Sequence, residues 1–293
     1  MNCDSRKSFV KKGASSVRFE VILPVYHGDD PDHFEQAVDS VMCNTLRPTK
    51  LIVVQDGPVP QPLKQRVINL QNSSGTDLLV MPENKGLAAA LNHALSYVKE
   101  PYVMRADADD VNSPDRFEGL AAGLRAGYDL VGSYVREIDP ISGEKIAIKR
   151  VPLNQEDILK SIPKRNPFNH MSVGYKTDSV LKAGGYPAQP LREDYALWAL
   201  MARSGATMMN FPECWVSART GLDMYRRRGG VQYIRDEIKF QSFLISVGST
   251  SWLKATAFGS ARCAVFALPP GMRGFIYENA LRRSSDRGGE NEK

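Results

Sequence analysis

The sequence predicts an α/β protein with a mostly parallel central sheet flanked by helices, and three observations carry that expectation. Short apolar runs alternate with helical patterns along the first third of the chain. Such alternation argues for parallel strands joined by right-handed crossovers. Polar clusters directly follow three of those runs: Tyr26 to Asp29, Gln55-Asp56-Gly57, and Arg105 to Asp110. Parallel sheets of this kind bind ligands outside the carboxyl ends of their strands. No G-x-G-x-x-G follows the first run and no Gly-Lys-Ser or Gly-Lys-Thr occurs, which excludes the dinucleotide fingerprint and the P-loop.

Taken in order, Phe19-Glu20-Val21-Ile22-Leu23 is an apolar run closed by Pro24 and suits a buried strand. Pro31 to Thr45 places Phe34, Ala37, Val38 and Val41 at helical spacing, with Pro31 fit for a first turn. Leu51-Ile52-Val53-Val54 is the second strand, and Pro62 to Asn72 the second helix. Leu78-Leu79-Val80-Met81 makes a third strand, Gly86 to Val98 a third helix, and Tyr102 to Arg105 a fourth strand. Beyond Arg116 the pattern loosens. Leu130 to Arg136 reads as a strand, Gly143 to Val151 as a hairpin or edge, and Asn154 to Ile162 as a helix. Arg192 to Arg203 reads as an amphipathic helix with Leu197, Leu200 and Met201 facing inward.

The expected organisation is a flexible N-terminus over 1–16, a main domain over 17–230, a helical and basic extension over 231–283, and a disordered tail over 284–293. Composition is that of a soluble globular chain, 42% hydrophobic and 24% charged. No apolar stretch reaches the ~18 residues of a membrane span. The first sixteen residues lack the apolar core of a secretory signal. Four scattered cysteines, Cys3, Cys43, Cys214 and Cys263, form no CxxC pair. They argue against a disulfide framework or zinc site and for a reducing cytoplasm. Between Arg219 and Arg283, eleven Lys and Arg face four Asp and Glu. Such a basic region attracts anionic lipid, nucleic acid or phosphorylated substrates, or is simply a solvated helix face.

The run Arg105-Ala106-Asp107-Ala108-Asp109-Asp110 is the most informative feature. Carboxylates this close repel one another unless a cation lies between them. Mg²⁺ and Mn²⁺ favour such oxygen ligands together with substrate phosphates. The competing reading is a solvated acidic turn before the helix that begins near Pro114.

With Val21-Ile22-Leu23-Pro24-Val25-Tyr26, Val53-Val54-Gln55-Asp56-Gly57-Pro58, Glu83-Asn84-Lys85-Gly86-Leu87, the acidic run with Pro114-Asp115-Arg116-Phe117, and Arg192-Glu193-Asp194-Tyr195-Ala196-Leu197-Trp198, the chain resembles a family 2 glycosyltransferase. That family has the GT-A nucleotide-diphospho-sugar transferase fold, and the resemblance covers roughly residues 17–230. Arg165-Asn166-Pro167-Phe168-Asn169-His170 and Asp223 to Gly230 further resemble the bacterial branch that builds capsule, exopolysaccharide and O-antigen repeat units.

The resemblance implies roles residue by residue. Asp56 matches the residue that binds the nucleotide base, and Pro24, Val25 and Tyr26 match the segment under the uridine. Asn84, Lys85 and Gly86 match the loop near ribose and diphosphate, where a helix N-terminus favours anions. Arg105 either neutralises the neighbouring carboxylates or reaches a phosphate. Asp109 and Asp107 match the ligands of a Mn²⁺ or Mg²⁺ ion, and Asp107 also lies toward the ribose. Asp110 matches a position nearer the sugar. Asp194 matches the base of an inverting transfer, with Glu193 as runner-up. His170, Glu193, Trp198 and Arg226 are the candidates for the sugar or acceptor pocket; Trp198 suits the core or a sugar-stacking edge, and Arg226, with Arg227 and Arg228, suits the diphosphate or a lipid pyrophosphate.

The implied partners are a nucleotide-sugar donor, expected to be UDP-linked, and a lipid-linked saccharide acceptor. The implied location is the cytoplasm, with peripheral contact to an anionic inner membrane and no nucleic-acid partner. The segment His27-Gly28-Asp29-Asp30 departs from the family pattern. The stretch Gly248 to Leu281 lies outside the resemblance and suits either interfacial helices or helices packed on the main domain. Two alternatives are a non-catalytic nucleotide-sugar-binding scaffold on the same fold and a sugar nucleotidyltransferase. The latter needs a Gly-rich phosphate loop after the first strand, which this sequence does not supply.

Overall fold

The computed structural model describes residues 17–71, 74–189, 191–220, 229–269 and 271–273. Arg226 and its neighbours Arg227 and Arg228, the segment 1–16 and the tail after 284 lie outside them. The first half follows the predicted alternation: β1 (Phe19–Tyr26), α1 (Pro31–Met42), β2 (Lys50–Asp56), α2 (Gln61–Gln71), β3 (Thr76–Met81), α3 (Leu87–Leu95) and β4 (Tyr102–Arg105). There follow β5 (Val111–Asn112), α4 (Arg116–Arg125), β6 (Leu130–Ile138), β7 (Lys145–Lys149) and α5 (Gln155–Ser161). After a single 3₁₀ turn at His170–Ser172 come β8 (Gly174–Lys176), α6 (Thr177–Lys182), α7 (Glu193–Arg203), β9 (Met208–Arg219), α8 (Val231–Ser246) and α9 (Trp252–Ala267).

The nine strands form one sheet in the order β3-β2-β1-β4-β8-β6-β9-β5, with β7 paired to β6. The strands β3, β2, β1 and β4 are parallel throughout. The second half is mixed: β8 runs antiparallel to β4 and β6, while β9 runs parallel to β6. The change occurs at β4. The acidic run therefore leaves the sheet where the parallel half meets the mixed half, at the rim where open α/β sheets bind ligands.

Both faces of the sheet are covered, which is why the first strands read as continuous apolar runs and not as alternating ones. Val21, Leu23, Val53 and Phe117 belong to one buried layer, with Phe34 and Val38 of α1. Ile22, Ile52, Val54 and Val103 belong to the opposite layer, with Leu91 of α3 and Leu197 and Trp198 of α7. Helix α7 departs from the amphipathic expectation because it is covered on two sides. Leu197 and Met201 pack toward the sheet, whereas Tyr195, Ala196 and Ala199 pack with Phe240 and Leu244 of α8. Leu200 is only partly buried.

The C-terminal extension thus packs on the domain, with α8 against α7 and α9 against α8. Trp252 and Leu253, at the start of α9, remain 66% and 62% exposed. Among the described residues no helix is long and apolar enough to cross a membrane. Cys214 and Cys263 are free thiols.

Candidate active site

At the end of β1 the Tyr26 ring folds over Gly28, where a Cβ would lie 2.6 Å from the Tyr26 hydroxyl. The Tyr26 side chain is about half exposed. The segment after it, which departs from the family pattern, has a local explanation. Asp30 caps α1 by accepting from the amides of Asp32 and His33 at 2.9 and 3.0 Å. Asp29 turns back and accepts from the Tyr26 amide at 2.9 Å. Burial, with the Asp109 charge nearby, raises the Asp29 carboxyl to about 6.

At the end of β2, Asp56 is buried and accepts two backbone amides, Lys85 N at 2.7 Å and Gly86 N at 2.9 Å. Its own carbonyl accepts from Asn84 Nδ2 at 3.3 Å. This carboxylate therefore builds the 84–86 loop. Gly57 has φ +80°, and a Cβ there would lie 2.4 Å from Asn84 N, so only glycine lets the two loops meet. Gly86, also at positive φ, starts α3 without a side-chain cap, and Lys85 is exposed beside it.

At the end of β4, Arg105 is 1% exposed and ion-paired to Asp107. Of its two expected roles, this burial fits neutralisation beneath the rim. Arg116, wholly buried, donates to the Arg105 carbonyl and to Asn112 Oδ1. Arg219 donates to the Asp109 carbonyl. The side chains of Asp107, Asp109 and Asp110 each offer an oxygen, and these lie within 4.8 Å of one another. Asp109 is exposed, Asp107 half-buried and Asp110 buried. Asp110 joins the ligand pair that the resemblance limits to Asp107 and Asp109. Its Oδ2 has no hydrogen-bond partner among the described residues, and burial followed by the Asp109 charge raises its carboxyl to about 7. An all-oxygen set with an orphaned buried carboxylate oxygen fits a hard divalent cation.

Asp194 sits in the first turn of α7 and accepts from Asn166 Nδ2 at 2.6 Å. Burial raises its carboxyl; the Tyr195 amide, Asn166, Lys149 and Arg105 oppose that rise. Glu193 is raised to about 6, by burial and then by Asp194. His170 Nε2 lies 3.1 Å from the Tyr186 hydroxyl. Burial and the Arg105 charge pull its pKa well below the ordinary imidazole value, so it is neutral at pH 7. Trp198 is corrected. It is 0% exposed and packs on Phe168 and His170, so it supports the His170 ring and does not line a pocket.

The charge of Arg105 acts on Asp29 and Asp110 and also on His170, Glu193 and Asp194. One guanidinium, ion-paired to Asp107, therefore influences both the acidic cluster and the α7 carboxylates. Sequence reasoning missed Lys149, Asn166 and Tyr186, and placed Asp29 only within the polar cluster after the first strand. Of the three missed, Asn166 carried a signal, since it sits inside the Arg165–His170 motif.

The family model for glycosyl transferase family 2 matches residues 20–182, more than half of the chain. The chain is a family 2 glycosyltransferase. This family 2 enzyme is 32% identical over 268 residues to an Escherichia coli UDP-Gal:alpha-D-GlcNAc-diphosphoundecaprenol beta-1,3-galactosyltransferase, covering 91% of this chain and 97% of that one. It is 31% identical over 262 residues to the amylovoran biosynthesis glycosyltransferase AmsE of Erwinia amylovora, covering 89% and 98%. Its fold is that of S. aureus TarS 1-349 in complex with UDP-GlcNAc, at TM-score 0.60 and 16% identity over 78% of this chain and 66% of that one. The mannosyltransferase PcManGT from Pyrobaculum calidifontis, in complex with GDP-Man and Mn²⁺, matches at TM-score 0.58 and 16% identity over 90% and 75%. The family 2 enzyme is thus a sugar transferase of GT-A type, and neither the scaffold nor the nucleotidyltransferase alternative is retained.

Proposed function

We propose that this glycosyltransferase moves a sugar, with inversion, from a UDP-linked donor to a hydroxyl of a lipid-linked saccharide in bacterial surface-polysaccharide synthesis. The observation that carries the reading is a half-buried, hydrogen-bonded Asp194 together with the Asp107/Asp109/Asp110 cluster, with the Arg105 charge acting on Asp194 and Asp110 alike. The acceptor class is inferred from the diphosphoundecaprenol-linked substrate named for the E. coli relative.

In this reading the donor lies on the rim of the parallel half. Pro24, Val25 and Tyr26 support the base, and Asp56 keeps the base-binding role that the resemblance implies while its carboxylate shapes the Asn84–Gly86 loop. The start of α3 and Lys85 meet the diphosphate. Asp109, with Asp107 and Asp110, would hold Mn²⁺ or Mg²⁺, which would supply charge stabilisation for the departing diphosphate. Asp194 takes the proton of the acceptor hydroxyl. The freed oxygen pair forms the new bond to the anomeric carbon from the face opposite the diphosphate. The old carbon–oxygen bond breaks, and its electron pair leaves with the nucleotide diphosphate. Burial raises the proton affinity of Asp194, which strengthens it as a base. Glu193 and neutral His170 border the acceptor side; Arg226 keeps the role that the resemblance implies.

Access to a lipid-linked acceptor is supported by the open start of α9. Trp252, Leu253 and Lys254 are exposed there, and no acidic residue occurs between Ile238 and Tyr277. That composition suits a peripheral contact with an anionic membrane at its cytoplasmic face.

The test is a screen of UDP-galactose, UDP-glucose and their N-acetylated forms with Mn²⁺ and a diphospho-lipid-linked sugar, reading UDP release and product anomer. Metal-dependent transfer with inverted configuration is the expected result. Retention of configuration, or undiminished turnover in EDTA, overturns the reading.

A further inference from the structure

Glu237, on α8, is fully buried. A carboxylate so placed needs cations and donors around it. Arg192 Nη1 is ion-paired to its Oε2. Arg262, on α9, pairs with Oε1 through Nη2 at 2.7 Å and donates to it from Nε at 2.8 Å. Gln241 Nε2 donates to the same oxygen at 2.7 Å.

Both arginines lead back to Asp194. Arg192 is the residue on which α7 starts, two positions before Asp194, and its guanidinium lies 5.0 Å above the Phe240 ring of α8. Arg262 Nη1 donates to the Lys164 carbonyl at 2.7 Å. Lys164 stands two positions before Asn166, the donor to Asp194 Oδ2. One buried carboxylate on the C-terminal hairpin therefore ties down the start of the helix that carries Asp194 and the segment that carries its hydrogen-bond partner. Beside these, Tyr195 packs its ring 4.7 Å from Phe240 and donates to the Ile162 carbonyl, which joins the same two segments.

We infer that Glu237 is a positioning residue for the transfer step, acting through Arg192 and Arg262 to hold Asp194 and Asn166 in register. The hairpin of α8 and α9 is then part of the catalytic apparatus and not an appended module. This inference rests on the reading of Asp194 as the base. The contacts of Glu237, Arg192 and Arg262 run to α7, α8, α9 and Lys164 and not to β1, β2 or β4, which build the donor side, so donor binding is expected to be independent of Glu237.

The test uses the full chain with Glu237→Gln, Arg262→Gln and Asp194→Asn measured in parallel on whichever UDP-sugar and diphospho-lipid acceptor the wild type turns over. UDP binding with Mn²⁺, read by calorimetry, counts the folded donor sites. Hydrogen–deuterium exchange follows residues 162–170 and 192–198. The expected result for Glu237→Gln is a kcat reduced tenfold or more, since a misplaced catalytic group costs on that order. The donor KM and the number of UDP sites stay within twofold, and exchange quickens in those two segments. In an Asp194→Asn background Glu237→Gln has no further effect. The inference is overturned if both Glu237→Gln and Arg262→Gln keep kcat within twofold. It is also overturned if kcat falls only in proportion to the UDP sites, which marks a purely structural role. Full-rate Asp194→Asn is a separate outcome that removes the base reading, and this inference with it.

Discussion

The side-chain amide of Asn166 donates to Asp194 Oδ2 at 2.6 Å, tying the loop before the His170 turn to the first turn of α7. A donor to the ionised carboxylate lowers its pKa and fixes its orientation. Asn166→Ala is expected to lower kcat by roughly tenfold and to move the acidic limb of the kcat profile to higher pH. A pH series from 4 to 9 checks both; an unmoved limb refutes the assignment.

Asp194 itself must be ionised to accept a proton, and burial raises it above the ordinary aspartate value of 3.8. Activity should therefore be full at neutral pH and fall as pH drops through that raised value, with burial opposed by the Tyr195 amide, Asn166, Lys149 and Arg105 setting where. Asp194→Asn should abolish transfer while leaving UDP binding unchanged, by rate assay and calorimetry side by side.

Chelation is expected to stop turnover, with recovery on adding Mn²⁺ or Mg²⁺. Asp109→Ala should reduce kcat on the order of a hundredfold, as loss of one group that stabilises departing charge does. The Mn²⁺ concentration for half-maximal rate should rise as well. A variant with wild-type metal dependence would place the ion elsewhere.

Gly57→Ala puts a Cβ 2.4 Å from Asn84 N at a φ of +80°. The expected cost is ~1–3 kcal/mol of stability, the range for a strained backbone position. The donor KM should rise because the 84–86 loop is displaced. Urea unfolding and donor kinetics measure the two effects separately.

Asp129 offers a pH test away from the site. Its burial, which would raise the carboxyl, is outweighed by bonds from Thr207 and Ser179 and by Lys176 at 2.9 Å, so it titrates at about 2. A folded-state value below the unfolded one contributes stability above about pH 4 that is lost as pH falls toward 2. Asp129→Asn should flatten the acid limb of the stability curve, seen as a smaller change in the urea midpoint between pH 5 and pH 3.

The parallel half of the fold was legible because its signals are local. The runs ending at Tyr26, Asp56 and Arg105 each carry their strand and their site residue together. The mixed half was not, since β8 is only three residues long and owes its place to pairing with β4 and β6. Helix α7 was misread as one-sided because the residues that cover its second face, Phe240 and Leu244, lie far along the chain. For the same reason Asn166 and Glu237 gained their places only in three dimensions. Trp198 shows the converse: its type suited a sugar platform, and its burial gives it to the core.

The position of Arg262 near the end of α9 has a consequence for synthesis. A chain growing from its N-terminus has every residue of β1, β2 and β4, and with them Tyr26, Asp56 and the acidic run, before Asp194 is made. Glu237 and then Arg262 come later still. A ribosome-bound intermediate halted after β9 would hold a nucleotide shelf beside an unanchored base. Shortened forms ending before Arg262 should likewise keep UDP while leaving it unspent.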